Sequence, residues 1–228
     1  MRHTGADTPT DMSQGKGKVA GLLLAAGAST RMGQPKQLLR VEGYTLLDRV
    51  LNEVLRSDLD LVLLVLGFQA GEIKQSLSTD LHHPKLRIIE NKNYLDGIST
   101  SIIAGLSEVE DLFEHVMIIL ADMPLISSSL INLLLGEYLA SHLQLGAIKL
   151  LERRSHPVII GRPYYAELRR LKGDMGARDL FAKYADRVCL VEPDKDYDDV
   201  DIDTMEEYLE FKQSLDHDEK HSGRHKPQ

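Results

Sequence analysis

The chain has 228 residues, and its content of 43% hydrophobic and 27% charged residues is typical of a folded globular protein. Its 35 acidic residues outnumber its 27 basic ones, and the formal net charge of -8 argues against a nucleic acid or a membrane surface as partner, because the mean field of the protein repels phosphate. The single cysteine, Cys189, excludes an intramolecular disulfide framework and a cysteine-rich zinc site, so we expect the protein in the reducing cytoplasm.

Apolar runs rich in Val, Ile and Leu alternate along the chain with amphipathic segments. Continuous apolar runs are typical of strands buried on both faces, and the segments between them have the spacing of helices. The predicted strands are 19–25, 61–66, 86–89, 116–121, 147–151, 157–160 and 188–191, of which 147–151 and 157–160 are expected to pair. The predicted helices are 46–55, 70–77, 101–112, 129–142, 164–171, 177–184 and 205–214. The pattern predicts a three-layer, doubly wound α/β fold with a mainly parallel sheet.

The predicted elements form one unit. We expect a single domain over residues 19–214, because a chain of this length can bury one large core. The segments 1–18 and 215–228 contain too few apolar residues to bury a surface, and we predict that both are disordered. No apolar run is long enough to span a bilayer, so no membrane association is expected.

The loop after the first predicted strand combines small residues with two basic ones. Small side chains at 25–28 let the backbone approach a ligand, and consecutive N–H groups in such a loop can bind phosphate oxygens. Arg31 and Lys36 add two cations to the same loop of an acidic protein. Neither a Walker motif nor a Gly-x-Gly-x-x-Gly fingerprint is present, which argues against a nicotinamide-dependent oxidoreductase. The loop predicts a phosphate site, and the alternative is an ordinary turn with incidental surface bases.

Two segments carry candidate acidic residues: one follows a predicted buried strand, and the other lies near the end of the chain. Asp122 comes directly after a buried strand and before Met-Pro, where a carboxylate is a natural Mg²⁺ ligand beside a phosphate loop. The alternative is a helix cap. Asp199, Asp201 and Asp203 alternate with apolar residues, so that on a strand they would share one face. A solvated acidic strand end, with Asp203 as cap of the last helix, is the alternative for this segment.

Residues 21–39 contain the motif Gly-x-x-Leu-Ala-Ala-Gly-x-Ser-x-Arg-Met-Gly-x-Pro-Lys-x-Leu-Leu, which resembles the signature of the nucleotidyltransferases that activate molybdopterin. Five further motifs match the cytidylyltransferase branch in the same order: Gly-Ile-Ser-x-Ser at 97–101, Leu-Ala-Asp-Met-Pro at 120–124, His-Pro-Val at 156–158, Gly-Asp-x-Gly-Ala-Arg at 173–178 and Asp-Ile-Asp-Thr at 201–204. The resemblance covers about residues 20–210 and implies a fold like that of the nucleotide-diphospho-sugar transferases. Ala26-Gly27 stands where the guanylyltransferase branch usually has Gly-Gly, which favours CTP.

The resemblance implies a role for each matching residue. Nucleotide contacts are expected from small, hydroxyl-bearing and strand-end residues: Leu24, Ala25, Ala26, Gly27, Ser29, Gly97, Ser99 and Ser101. Arg31, Lys36 and Asp122 are the expected catalytic residues. Asp122 and Asp201 are the expected Mg²⁺ ligands, with Asp203 as second choice to Asp201. His156, Arg178 and Asp203 are expected on the acceptor side.

The implied reaction is the Mg²⁺-dependent transfer of CMP from CTP to the terminal phosphate of molybdopterin, with release of pyrophosphate. Residues 19–145 would form the nucleotide part and residues 146–214 the acceptor part, and a client molybdoenzyme is a further expected partner. Ser155 stands where many relatives have Gly before the His-Pro pair, and this departure leaves the acceptor open. The alternatives are transfer to another phosphorylated small molecule, such as a sugar or polyol phosphate, and a non-catalytic carrier of the pterin.

Overall fold

The computed structural model describes residues 17–29, 32–193 and 197–222. The strands in this part of the chain are β1 Val19–Ala25, β2 Arg40–Val41, β3 Tyr44–Thr45, β4 Leu61–Leu66, β5 Leu86–Glu90, β6 His115–Leu120, β7 Leu145–Leu150, β8 Arg153–Gly161 and β9 Val188–Val191. The helices there are α1 Leu46–Arg56, α2 Ala70–Ser76, α3 Ile98–Val109, α4 Ser128–Ser141, α5 Tyr165–Leu168, α6 Arg178–Lys183 and α7 Met205–Ser222.

The main sheet has the strand order β5-β4-β1-β6-β8-β7-β9, and β2 and β3 form a separate small hairpin. Strands β5, β4, β1 and β6 are parallel to one another, whereas β8 is antiparallel to both of its neighbours and β9 is parallel to β7. The predicted α/β fold with a mainly parallel sheet is therefore confirmed, as is the predicted pairing of the segments that became β7 and β8.

Helices cover the sheet on both faces, which gives the predicted three layers. Every residue of β1 and β4 is buried, as continuous apolar strands require. One core cluster packs residues of α1, α2 and α4 on one face, and a second packs residues of α3, α5 and α6 on the other. A third, smaller cluster joins Met32, Leu39 and Val41 to Ile202 and Phe211, and it fixes the late segment of the chain against the first loop.

Several element bounds differ from the prediction. Helix α3 begins at Ile98, three residues earlier than predicted, because Gly97 at φ 98° ends the preceding turn there. The hairpin of β2 and β3 was not predicted, since two-residue strands carry no detectable alternation. Helix α7 runs to Ser222, so the prediction of disorder from 215 onward is wrong for 215–222, where the helix simply continues through residues of adequate helix propensity. Residues 1–16 and 223–228 of the two predicted tails lie outside the described residues.

Among the helices of the described residues, none combines the length and the apolar character needed to cross a bilayer.

Candidate functional site

The site lies at the carboxyl ends of β1 and β6, the position at which parallel sheets of this kind usually bind ligands. These strands are neighbours in the sheet, and Leu24 pairs with Leu120 near their ends. The backbone N–H of Ala121 donates to the carbonyl of Leu24 at 3.1 Å, which extends the pairing one step further. The chain then leaves the two strands in the first loop and in the segment that carries Asp122, so these two sequence motifs meet at one edge of the sheet.

Lys36 connects the motifs through its side chain. Its Nζ donates to Oδ2 of Asp122 at 2.7 Å and to Oδ1 of Asp203, also at 2.7 Å. Burial alone would lower the pKa of Lys36, but attraction to Asp122 and the hydrogen bonds to both carboxylates outweigh that effect and hold the pKa above its usual value. Lys36 is therefore a permanent cation held between two carboxylates that lie far apart in the sequence.

The carboxylate of Asp122 does not cap helix α4, the alternative role that its sequence position allowed. Its Oδ1 is buried and has no hydrogen-bond partner within the described residues. Helix α4 is capped instead by Ser127, whose Oγ accepts from the N–H of Leu130 at 3.2 Å. A buried carboxylate oxygen without a donor is costly unless a cation or a water molecule binds it, so Asp122 has a free coordination position.

The acidic segment at 197–203 is not a strand, and the predicted alternation of its side chains between two faces is wrong. Instead, the N–H of Ile202 donates to the carbonyl of Asp122 at 2.9 Å, and its side chain is fully buried. This contact brings the next residue, Asp203, to Lys36. Burial raises the pKa of Asp201, and repulsion from Asp203 and Asp122 raises it further, so this carboxylate lies close to the other two without sharing their bond to the lysine.

Asp203 does not cap the last helix. The capping interactions of α7 come from Thr204 and Glu207, since Glu207 Oε2 accepts from the N–H groups of Asp203 and Thr204 at 2.8 Å, and Thr204 Oγ1 accepts from the N–H of Glu207 at 3.2 Å. The side chain of Asp203 is thereby available for its bond to Lys36.

The first loop is held in shape by side chains within it. Ser29 adopts a left-handed conformation with φ 50°, and its Oγ accepts from the backbone N–H of Lys36 at 3.1 Å. Gln37 is buried, and its Nε2 donates to the carbonyls of Ala25 at 3.0 Å and Gly27 at 3.1 Å. Because these carbonyls are bound from the protein side, the loop keeps one fixed curvature. Arg31, the other predicted catalytic residue of this loop, lies outside the described residues.

Gly27 faces open space. A Cβ added there would have no neighbour within 4 Å in the described part of the chain, and its φ is not positive, so neither crowding nor backbone strain demands glycine. By contrast, Leu24, Ala25 and Ala26 are buried, so the methyl group of Ala26 is mostly covered by the protein.

The segment at 97–101 opens helix α3 against a second loop. Gly97 has φ 98°, and a Cβ there would lie 2.2 Å from the backbone of Gly173, so only glycine fits. The N–H of Ser99 donates to the carbonyl of Gly173 at 3.1 Å, while its hydroxyl is buried without a partner among the described residues. The hydroxyl of Ser101 accepts from Asn91 Nδ2 at 3.0 Å. Ser99 therefore has an unused polar group, and Ser101 serves the internal structure.

A cavity of about 1090 Å³ lies beside this segment. Apolar side chains of the sheet and helices line part of it, and His156 and Arg178 lie on its wall. Burial lowers the pKa of His156, so its imidazole is neutral near pH 7. Within the described residues, no hydrogen bond or ion pair joins Arg178 to another group, and its charge is available to an anionic ligand. The two predicted acceptor-side residues thus share one cavity.

Sequence reasoning missed several residues that build the site. Gln37 occupies a position that the motif leaves open, although a polar residue between Lys36 and two leucines could have signalled a buried amide. Asn91 Nδ2 donates to two of the three hydroxyls that follow Gly97, to Thr100 at 2.8 Å and to Ser101 at 3.0 Å, and nothing in its sequence context indicates this. Within the described residues, no group of three or more histidine, cysteine or carboxylate side chains has the geometry of a metal site.

Comparison with known proteins supports the same reading of the fold and the motifs. The family described as MobA-like NTP transferase domain matches residues 21–188. Nicotine blue oxidoreductase of Paenarthrobacter nicotinovorans is 30% identical over 198 residues, which cover 83% of this chain and 94% of that protein. Purine catabolism protein PucB of Bacillus subtilis is 31% identical over 199 residues, 82% of this chain and 93% of that protein. Molybdenum cofactor cytidylyltransferase of Escherichia coli is 32% identical over 103 residues, only 45% of this chain and 50% of that protein.

Solved structures have the same fold. A homologue of Rv0371c from Mycobacterium sp. strain JC1 is 27% identical, with a TM-score of 0.74 over 86% of this chain and 96% of that one. Rv0371c of Mycobacterium tuberculosis, solved in complex with manganese, is 24% identical, with a TM-score of 0.72 over 86% of this chain and 99% of that one. A nucleotidyl transferase from Methanothermobacter is 18% identical, with a TM-score of 0.71 over 87% of this chain and 97% of that one.

Proposed function

This chain belongs to the family of MobA-like NTP transferase domains, and we propose that it transfers CMP from CTP to the terminal phosphate of molybdopterin. That it is a nucleotidyltransferase follows from the family and from neighbours with the same fold. The observation that carries the finer proposal is the meeting of Lys36, Asp122 and Asp203 beside the open backbone of Gly27, because a cation held between carboxylates next to a phosphate loop suits the chemistry of a triphosphate. A cytoplasmic location, which the single cysteine favours, belongs to the same proposal.

The reaction needs alignment and charge neutralisation more than a strong base. The attacking phosphate of the acceptor is already an anion, it forms a bond to the α-phosphorus of CTP, and pyrophosphate leaves. In this proposal Lys36 turns from the carboxylates to the triphosphate and offsets the charge that grows on the leaving oxygens. Gln37 keeps the loop in the curvature that exposes its N–H groups, and Ser99 offers its unpartnered hydroxyl.

A divalent cation fits these residues. Mg²⁺ is typically held by one or two carboxylates together with substrate phosphates, so the absence of a three-ligand cluster in the described residues is no obstacle. The unpartnered Oδ1 of Asp122 and the position of Lys36, a cation between Asp122 and Asp203, both favour this pair as the ligands. A metal held there would supply positive charge that stabilises the reacting phosphates. We therefore propose Asp203 ahead of Asp201, and the manganese complex of Rv0371c supports a divalent ion in this fold.

The choice of CTP rests on the sequence motif and not on the size of a base pocket in the structure. Ala26-Gly27 stands where guanylyl relatives have Gly-Gly. The methyl of Ala26 is mostly covered by the protein, so the argument for CTP does not depend on this methyl narrowing the space for the base. The acceptor is proposed from the cavity that Arg178 lines. The apolar wall of this cavity suits a flat ring system, and the guanidinium of Arg178 suits a phosphate. The partial match to the cytidylyltransferase of Escherichia coli supports both choices.

Pyrophosphate release tests the proposal directly. The purified chain is incubated with each of the four NTPs and Mg²⁺, with and without molybdopterin. We expect release only with CTP and molybdopterin together, and a loss of about a hundredfold in turnover in Asp122→Asn, which keeps the shape of the side chain and removes its charge. Turnover that is near normal in a folded Asp122→Asn variant would contradict the metal role. Equal turnover with a sugar phosphate or polyol phosphate would replace the acceptor.

A different chemistry is possible within this family, because a relative that matches nearly the whole chain is named an oxidoreductase. Its substrate belongs to that protein, and this chain lacks the usual dinucleotide fingerprint. The same samples answer the question: oxidation of a reduced nicotinamide cofactor without any NTP-dependent pyrophosphate release would favour the oxidoreductase.

A further inference from the structure

Both carboxylate oxygens of Asp199 are bound by side chains of β8. Oδ1 accepts from Arg153 Nη2 at 2.6 Å, and Oδ2 accepts from Arg153 Nη1 at 2.6 Å and from Ser155 Oγ at 2.5 Å. Only 7% of the Asp199 side chain is exposed, although Arg153 is 61% exposed. A two-pronged guanidinium contact has a fixed geometry, which makes it a stronger restraint than an ordinary surface ion pair.

The segment that contains Asp199 has no regular secondary structure to hold it. Residues 197–203 form neither a helix nor a strand, so their position depends on contacts with other elements. Tyr197 donates its hydroxyl to the carbonyl of His156 at 3.3 Å, and the N–H of Ile202 donates to the carbonyl of Asp122 at 2.9 Å. Arg153 and Ser155 form a clamp on the Asp199 carboxylate, which adds an ion pair to these contacts, as Lys36 does at Asp203.

These anchors face a repulsive force. Asp201 and Asp203 approach Asp122 in a protein whose net charge is already -8, and like charges at short range push the segment away from the sheet. Lys36 offsets part of this repulsion only while it stays between Asp122 and Asp203. When Lys36 turns to a bound triphosphate, the segment depends more on its other attachments, and β8 supplies the one at Asp199.

We propose that Asp199 is a positioning residue, whose clamp to Arg153 and Ser155 on β8 holds the acidic segment so that Asp203 and Asp122 can bind a divalent cation together. The inference rests on the proposed function, since it assumes that these carboxylates bind the cation. It also gives Ser155 a role, because its hydroxyl is one of the three donors of the clamp.

The same clamp joins the two halves of the site. Arg153 and Ser155 both line the cavity proposed for the acceptor, and their partner Asp199 lies four residues before Asp203. Because Asp199 neutralises Arg153, that guanidinium is not free to bind the acceptor phosphate, which leaves Arg178 and Arg154 as the guanidinium groups of the cavity that no carboxylate in the described residues neutralises. A change at the clamp therefore acts on Asp203, which lies four residues further along the same segment.

Binding of Mn²⁺ tests the inference without turnover. The affinity is measured by electron paramagnetic resonance in the presence of a non-hydrolysable CTP analogue, and the affinity for the analogue without metal is measured by calorimetry. We expect Asp199→Asn and Arg153→Met each to weaken Mn²⁺ binding about tenfold, as loss of an outer-shell partner typically does, and to leave the metal-free affinity for the analogue unchanged. Ser155→Ala removes one donor of three and should have a smaller effect in the same direction.

Two controls make the result specific. Lys74→Met breaks an exposed ion pair of 2.6 Å with Glu90, remote from these residues in the fold, and should leave Mn²⁺ binding unchanged. The double variant Arg153→Met/Asp199→Asn should bind Mn²⁺ about as tightly as the single variant with the lower Mn²⁺ affinity, because the two residues act as one unit.

The outcomes separate this inference from the proposed function. If Asp122→Asn abolishes Mn²⁺ binding while folded Asp199→Asn and Ser155→Ala bind it normally, the clamp has no positioning role and the metal site stands. If Asp122→Asn binds Mn²⁺ normally, the proposed metal site fails and this inference fails with it. If Asp199→Asn does not fold, Ser155→Ala decides: unchanged Mn²⁺ affinity in that folded variant overturns the inference.

Discussion

Replacing Lys36 with methionine should destabilise the metal-free protein, and the distance between the Asp122 and Asp203 carboxylates determines by how much. Its Nζ lies 2.7 Å from an oxygen of Asp122 and 2.7 Å from one of Asp203, so those oxygens are at most about 5.4 Å apart. Without the cation, their repulsion amounts to about 1 kcal/mol if water screens it fully and about 3 kcal/mol at the effective dielectric of a protein surface. Since the Asp203 side chain is 39% exposed, we expect about 1–2 kcal/mol, or a fall in Tm of about 2–8 °C.

Thermal unfolding of Lys36→Met with and without Mn²⁺ measures this effect. A divalent ion can take the place of the ammonium between the carboxylates, so saturating Mn²⁺ should restore most of the lost Tm, while the wild type should respond less. The double variant Lys36→Met/Asp122→Asn is the matched control, because it removes the repulsion together with the cation: its metal-free Tm should recover and its response to Mn²⁺ should vanish. A Lys36→Met protein that melts at the wild-type temperature, or whose loss Mn²⁺ leaves untouched, would refute the reasoning.

Two further predictions concern residues that the sequence left unassigned or weakly assigned. Gln37→Met keeps the bulk of the side chain but removes the donor to the carbonyls of Ala25 and Gly27. Calorimetry should therefore show about tenfold weaker CTP binding, with little change in Tm. An unchanged CTP affinity would show that the loop does not need this donor. Because burial lowers the pKa of His156 in the folded state, the unfolded chain takes up the proton first as the pH falls, and stability should be lost below about pH 6.5 by at most about 1.4 kcal/mol per pH unit. Denaturant titrations between pH 7.5 and pH 5 should show a shallower loss in His156→Gln, and equal slopes in the two proteins would speak against this origin of the pH dependence.

The layers of the fold could be predicted from the sequence, because a buried strand appears there as a continuous run of apolar residues. A strand covered on both faces must be apolar at every position, and the predicted bounds of β1 and β4 agree with the structure for that reason. The same pattern indicated that the first loop and Asp122 would lie near each other, since both follow directly from buried strands. The paired role of β7 and β8 was also predicted, although not that β8 would run against its neighbours.

The partners of each side chain in the site were decided by tertiary structure alone. Three aspartates alternate along 199–203, and nothing local distinguishes them, because alternation has meaning only on a strand and this segment is none. Burial of Ile202 and its bond to the carbonyl of Asp122 set the register, which brings Asp203 to Lys36 and leaves Asp199 to Arg153 and Ser155. These contacts join residues between 44 and 167 positions apart in the chain, and such pairings depend on how the sheet orders its strands rather than on any spacing in the sequence.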